Sequence, residues 1–350
     1  MEIIDILKQA IETITRPPRR KYNINSLPTT LISDDGHQYK RYPVENLIIR
    51  GHQIIGSLYS EISKDIKEGG PCVIYSHGNA SSQIEGLFLI PHLCHNGITV
   101  FLYDCVGCGE SDGEYITLGY SESIDLQLII SELSSRYNFD KFILWGRSMG
   151  AAMSIMCSHP KIVGAIADST FSSVRDIIFS VTENQLKMPK FLSKIIVWFM
   201  RMVVLDSTDL DINDVSPIDS AHLPNKPPLI IGHATNDDFI PYSQGENVYH
   251  KYSNDEVTLV QLSHGHNGKR STKWYKTCFS FIFEKLNIAQ YDLQIRHFKG
   301  IHMYDDHFAS AMDMINNERV GISEMKTSTI DQEQNSNIMT FEFYPLDYQP

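Results

Sequence analysis

A serine hydroxyl becomes a useful nucleophile only when an imidazole takes its proton and an acid fixes the tautomer of that imidazole and steadies its cation. Ser148 is placed for such chemistry, because it lies in Gly146-Arg147-Ser148-Met149-Gly150, a G-x-S-x-G run. Apolar residues 142–145 precede it, and the small helix formers Ala151 and Ala152 follow. The pattern predicts strand, sharp turn and helix: a nucleophile elbow, whose glycines leave space where a side chain would strike the adjoining elements. The first amides of the following helix would face the reaction centre, so the Met149 N–H is the expected oxyanion donor.

On an elbow of this kind the chain order is serine, acid, histidine, each partner on a loop after a later strand. The apolar run 229–232 leads into His233-Ala234-Thr235-Asn236-Asp237-Asp238, and the run 257–262 into Ser263-His264-Gly265-His266-Asn267-Gly268. Asp237 is the expected acid, with Asp238 and Asp168 as alternatives. His266 is the expected base, with His264 as the alternative. His77 and His233 stand at strand ends but out of order for the base, which suits hydrogen-bonded loop supports. A second oxyanion amide is expected on the loop Ser76-His77-Gly78-Asn79-Ala80-Ser81, from Asn79 or, failing that, Ala80. The glycine-rich run 104–113 is not a dinucleotide fingerprint, since Asp112 holds the last glycine position and no P-loop lysine accompanies it; it reads as a tight turn.

These loops need a scaffold that ends its strands on one side. Short apolar runs at 72–75, 99–103, 142–145, 163–167, 229–232 and 257–262 alternate with helical stretches at 82–95, 121–137, 148–158, 244–252 and 271–286, which predicts a mostly parallel sheet covered on both faces. Residues 44–62 alternate around Gly51 and Gly56 as an antiparallel hairpin would. The interval 171–228 is too long for a crossover and predicts a helical lid insertion. Within it, 191–205 is almost wholly apolar, and Ile196, Trp198, Phe199 and Met202 are expected to line an acyl pocket. Three segments follow: 1–43, an amphipathic helix over 1–14 and a Pro-rich linker; 44–289, the catalytic domain; and 290–350, a C-terminal extension, polar over 327–337 and expected to be partly disordered.

With a net charge of −12 and no basic stripe, the chain is a poor partner for nucleic acid. Its six cysteines are scattered, several inside apolar runs, as reduced core thiols would be, and Cys105-x-x-Cys108 lacks the second pair a metal site needs. No metal or cofactor is expected. The first segment lacks the basic start and small-residue cleavage site of a signal peptide, and no stretch reaches a membrane span, so a cytoplasmic location is expected, with peripheral membrane contact through the lid as a further expectation.

Taken together, Asp104-x-x-Gly107-x-Gly109-x-Ser111-x-Gly113, Trp145-Gly146-Arg147-Ser148-Met149-Gly150, Asp168-Ser169-x-Phe171-Ser172, His233-Ala234-x-x-Asp237-Asp238-Phe239-Ile240 and Gly265-His266-Asn267 resemble the α/β-hydrolase superfamily, over roughly residues 44–286. The resemblance is closest to a eukaryotic, serine aminopeptidase-like (S33-type) branch whose relatives include acyl-protein thioesterases. It implies an α/β-hydrolase fold and a triad of Ser148, Asp237 and His266. The function expected is a serine hydrolase of carboxylic esters or thioesters, acting on a small-molecule, lipid or protein-borne acyl group through an acyl-enzyme. A non-catalytic lipid- or partner-binding protein of the same fold and a serine peptidase or amidase are the competing readings.

Overall fold

In a computed structural model of the chain, the described residues are 15–298, apart from 18, 181, 184–186, 209 and 297. The expected helix over 1–14 and the polar stretch 327–337 lie outside them. A nine-stranded sheet runs in the order β1 (Thr30–Ile32), β2 (Gln38–Pro43), β5 (Gly56–Glu61), β7 (Thr99–Tyr103), β6 (Gly70–Ser76), β8 (Phe139–Arg147), β9 (Ile162–Asp168), β10 (Leu229–Ala234), β11 (Val257–Leu262). From β7 to β11 all neighbours are parallel, whereas β1, β2 and β5 join antiparallel. After β6 the chain goes out to β7 on one side and returns to β8 on the other. That reversal opens a crevice at the carboxyl ends of β6 and β8, the usual ligand position in such sheets.

Alternation along the strands explains why their sequences read as unbroken apolar runs. Cys72, Ile74, Phe142 and Leu144 face one way, against α2 (Tyr120–Tyr137), which follows the short α1 (Ile90–Leu93), and against α3 (Met149–Met156); Val73, Tyr75, Ile143 and Trp145 face the other, against α8 (Thr272–Lys285). Both sheet faces are therefore buried, and each position along a central strand must be apolar.

Two boundaries differ from expectation. The sheet begins at Thr30 rather than 44: β2 buries Tyr39 and Arg41 while Gln38 and Lys40 face out, and an arginine pointing inward hides the strand from a hydrophobic reading. Arg41 is accommodated because its Nη1 donates to the Ile24 carbonyl (2.8 Å). Residues 44–62 do not form one hairpin either. The two-residue strands β3 (Ile48–Ile49) and β4 (His52–Gln53) turn through Arg50 and Gly51, both at positive φ, and β5 pairs instead with β2 and β7. The stretch 82–95 is helical mainly as 3-10 turns.

Between β9 and β10 lie α4 (Val174–Ser180), α5 (Lys190–Thr208) and α6 (Pro217–Ala221). One face of α5, with Val197, Met200 and Val204, packs on Val174, Ile178, Phe171, Ala152 and Ile240. α7 (Tyr242–Lys251) precedes β11. No helix among the described residues is long and apolar enough to cross a membrane.

Candidate active site

Ser148 sits between β8 and α3 with φ 53° and ψ −113°, a conformation an L-residue adopts only under constraint from its surroundings and at a cost of about 1–3 kcal/mol. The constraint is visible. The Ser148 amide donates to the Asp168 carbonyl at 2.8 Å, and the flanking glycines are in backbone contact: a Cβ on Gly146 would lie 1.9 Å from the Gly150 carbonyl oxygen, and one on Gly150 1.9 Å from that of Ser76. Any side chain at either glycine would push the elbow off the sheet.

The loops after β10 and β11 converge on this serine. His266 Nε2 is 3.1 Å from Ser148 Oγ, and His266 Nδ1 is 2.8 Å from Asp237 Oδ2. All three residues are buried. The other Asp237 oxygen accepts from the amides of Phe239 (3.0 Å) and Ile240 (2.7 Å), so the carboxylate is held in place by its own loop. Burial opposes ionisation of Asp237, but the His266 hydrogen bond and charge, together with the Ile240 amide, outweigh it and keep the carboxyl below its ordinary range.

The alternatives are placed elsewhere. Asp238 and His264 are exposed. Asp168 is buried but receives the Arg270 guanidinium on both oxygens (2.8–3.1 Å), and the same guanidinium donates to the carbonyls of Gly265, His266 and Gly268. Asp168 thus ties the end of β9 to the loop carrying His266. His77 accepts from the Cys105 amide at Nε2 (3.1 Å), leaving Nδ1–H for the Gly78 carbonyl (2.7 Å). His233 Nε2 lies 2.9 Å from the Ile240 carbonyl, behind the Asp237 loop. Burial, first of all, pushes the pKa of His233 down. In the 104–113 turn, Asp104 accepts from Tyr22 Oη and from the amides of Gln83 and Glu110 (2.6–2.9 Å), while Gly107 and Gly109 take the positive φ the turn requires.

Sequence reading missed the ion pair beneath the elbow. Arg147 Nε donates to Glu85 Oε1 at 2.8 Å, its Nη1 to Asn267 Oδ1 at 3.0 Å, and Tyr75 Oη donates to the same Glu85 oxygen at 2.7 Å. Burial alone would raise the Glu85 carboxyl; the guanidinium outweighs it and holds the acid down to about 2. The Arg147 fork also explains Gly78, where a Cβ would lie 2.9 Å from Nη2. The only sequence signal was a charged residue inside G-x-S-x-G, and its partner lies in a segment with no motif.

Of the expected pocket residues, Trp198 (59% exposed) and Met202 (48%) face solvent; the buried face of α5 is the one with Val197, Met200 and Val204. Ile196 is half-buried against that cluster, and Phe199 is half-buried. Phe239, from the acid loop, joins the same cluster and sets its ring edge-on to His266, with centroids 5.2 Å apart. Met149 is buried, and the Asn79 side-chain oxygen is buried without a hydrogen-bond partner among the described residues.

Among the described residues, His37, Glu61 and His95 could offer a cation one ligand atom each, within 4.8 Å of one another. They lie by the β2–β5 edge, several strands from Ser148. A groove lined by Leu229, Glu256, Thr258 and Lys273 opens at the amino ends of β10 and β11, the side of the sheet away from the serine.

The chain is similar in sequence and fold to known proteins. The family described as serine aminopeptidase, S33 matches residues 70–216, from β6 through the elbow and into the β9–β10 insertion. Among curated relatives, an uncharacterised mimivirus protein is 24% identical over 56% of this chain and 68% of its own length, and uncharacterised YqkD of Bacillus subtilis is 26% identical over 58% and 66%. Protein phosphatase methylesterase 1 of Candida albicans is 23% identical over 52% of each chain. The chain therefore spans about half to two thirds of the length of these relatives. Among solved structures, an esterase from Pyrococcus furiosus superposes with a TM-score of 0.53 at 19% identity, over 78% of this chain and 97% of that one. Acetyl xylan esterase 1 from Thermoanaerobacterium gives 0.51 at 13%, over 83% and 94%. The shared fold spans nearly the whole of both esterases and the family match runs across the elbow itself, so the chain has the α/β-hydrolase fold.

Proposed function

We propose that the chain is a serine hydrolase that cleaves carboxylic esters or thioesters through an acyl-enzyme. The observation that carries the reading is the continuous relay from Asp237 Oδ2 through His266 to Ser148 Oγ, at 2.8 and 3.1 Å. Ser148 Oγ attacks the acyl carbon as its proton passes to His266 Nε2. Asp237, accepting from Nδ1–H, stabilises the imidazolium. The tetrahedral oxyanion lies against the amides of Met149 and Asn79. His266 then protonates the departing alcohol or thiol. Water repeats the sequence on the acyl-enzyme, releasing the acid and restoring Ser148.

Two buried carboxylates beside the site, Glu85 and Asp168, are each engaged by a guanidinium, so neither is free to receive the amino terminus of a peptide. That arrangement supports esterase over aminopeptidase chemistry. The esterase names of the structural neighbours support it too. A cytoplasmic setting accords with six buried, unpaired thiols.

The experiment is labelling with a fluorophosphonate probe, followed by turnover of matched p-nitrophenyl ester, thioester and aminoacyl-amide substrates. Labelling of the wild type but not of Ser148→Ala, with ester or thioester turnover exceeding amide, is the expected result. Folded wild-type protein that takes no label would instead identify a binding protein that retains the fold.

A further inference from the structure

Helix α5 carries a second apolar face that nothing in the described structure covers. Phe191, Ile195, Trp198, Met202 and Leu205, at spacings of four, three, four and three residues, form one narrow stripe, and all are exposed. The buried face with Val197, Met200 and Val204 lies opposite. Apolar residues scattered singly on a surface need no explanation, but a contiguous stripe of this length marks an interaction site.

Charge identifies the partner. The chain carries a net −12, yet from Asn184 to Leu205 the sequence holds Lys187, Lys190, Lys194 and Arg201 and no acid, with Glu183 and Asp206 as the flanking acids. Arg201 is occupied by Asp211. Lys187, Lys190 and Lys194 are exposed, and none pairs with a described residue. Helical geometry puts Lys190 and Lys194 along one border of the stripe, where their stems can lie on apolar surface while the ammonium groups reach outward. An indole within an apolar stripe, bordered by free lysines, is the composition of a helix that lies in a bilayer interface.

We infer that α5 docks the protein on an anionic lipid surface, its outer stripe entering the headgroup boundary and Lys187, Lys190 and Lys194 meeting acidic headgroups. Its inner face belongs to the same core cluster as Ala152 of the elbow helix and Ile240 of the acid loop, so docking would present the site to acyl groups held at a membrane.

The sequence supplies its own probe. Of its three tryptophans, Trp145 and Trp274 are buried, so a change of emission on binding reports Trp198. Full-length protein is titrated with phosphatidylcholine vesicles with and without phosphatidylserine, following emission and co-sedimentation; neither readout depends on hydrolysis. A blue shift and sedimentation with the anionic vesicles, both weakened by salt, are expected. Each lysine should contribute roughly five-fold to partitioning, so Lys190→Gln with Lys194→Gln weakens binding about 30-fold. Ile195→Ser with Met202→Ser should abolish sedimentation, with the unfolding midpoint retained in both variants. Equal binding to neutral vesicles, or no binding, overturns the inference. A blue shift that grows with protein concentration without lipid assigns the stripe to a second copy. A red shift after removal of residues 1–14 assigns it to the chain's own first segment. Either of the last two outcomes also overturns the inference.

Discussion

At the scale of single residues, the two buried aspartates beside the elbow have different tasks, and mutation should separate them. Asp237 faces the imidazole, so Asp237→Asn is expected to lower kcat by about 10⁴ while the protein still melts near the wild-type temperature, because the amide favours the wrong histidine tautomer. Asp168 faces Arg270. Asp168→Ala leaves a buried guanidinium unpaired, at a cost of about 3–5 kcal/mol measurable by urea unfolding, and activity should fall only as far as the His266 loop loosens. Equal losses of stability in both variants would show that the assignments are wrong.

The Glu85 carboxyl gives a pH prediction of definite sign. Its pKa falls from an ordinary 4.5 to about 2 on folding, so the unfolded chain binds the extra proton between those values. The stabilisation is fully present above pH 4.5 and is lost as pH falls toward 2. Urea midpoints taken from pH 5 downward should therefore drop, and Glu85→Gln should drop less steeply over the same window.

At the scale of elements, the elbow depends on backbone contact rather than side-chain packing. Gly150→Ala would drive a methyl into the Ser76 carbonyl, and the variant is expected to lose fluorophosphonate labelling together with its cooperative melt. In α5, Met200→Ala should cost about 2 kcal/mol, near the low end for core truncations, because the residue sits at the margin of its cluster. The central strands were legible in the sequence because both their faces are buried, and the run at 99–103 coincides with β7 to the residue; the run at 257–262 coincides with β11 as well, although that edge strand is only partly buried. The placement of Ser148, Asp237 and His266 was legible because chain order on this fold leaves few choices. The edge strands β1 and β2 were not, since Arg41 points inward and breaks the pattern. Nor can sequence tell which side of an almost wholly apolar helix faces in: Trp198 and Met202 lie on the solvent side of α5, Val197 and Met200 on the buried side. Long-range ion pairs such as Glu85 with Arg147 leave no periodic trace at all.

At the scale of the whole molecule, the folded body extends beyond the 44–289 boundaries expected for the catalytic domain. Phe298 is buried and bridges to Ser33, and Arg296 pairs with both Asp35 and Asp292, so the end of the described chain clamps the first hairpin. A chain truncated after Gln290 should lose about 2–3 kcal/mol from the Phe298 side chain alone, read as a lower thermal midpoint than full-length protein. An unchanged midpoint would mean that the strap rests on the body without stabilising it.

The thiols, finally, make the protein a recorder of its own breathing. Cys72, Cys105, Cys108 and Cys157 lie in the core on one face of the sheet, Cys94 and Cys278 in the core on the other, and burial raises the pKa of every one. A thiol reagent can then reach each sulfur only when its own layer parts, at a rate set by the population of that opening. Mapping the order of modification by mass would time the two layers separately. It would show whether the layer under the elbow helix opens with the other or before it.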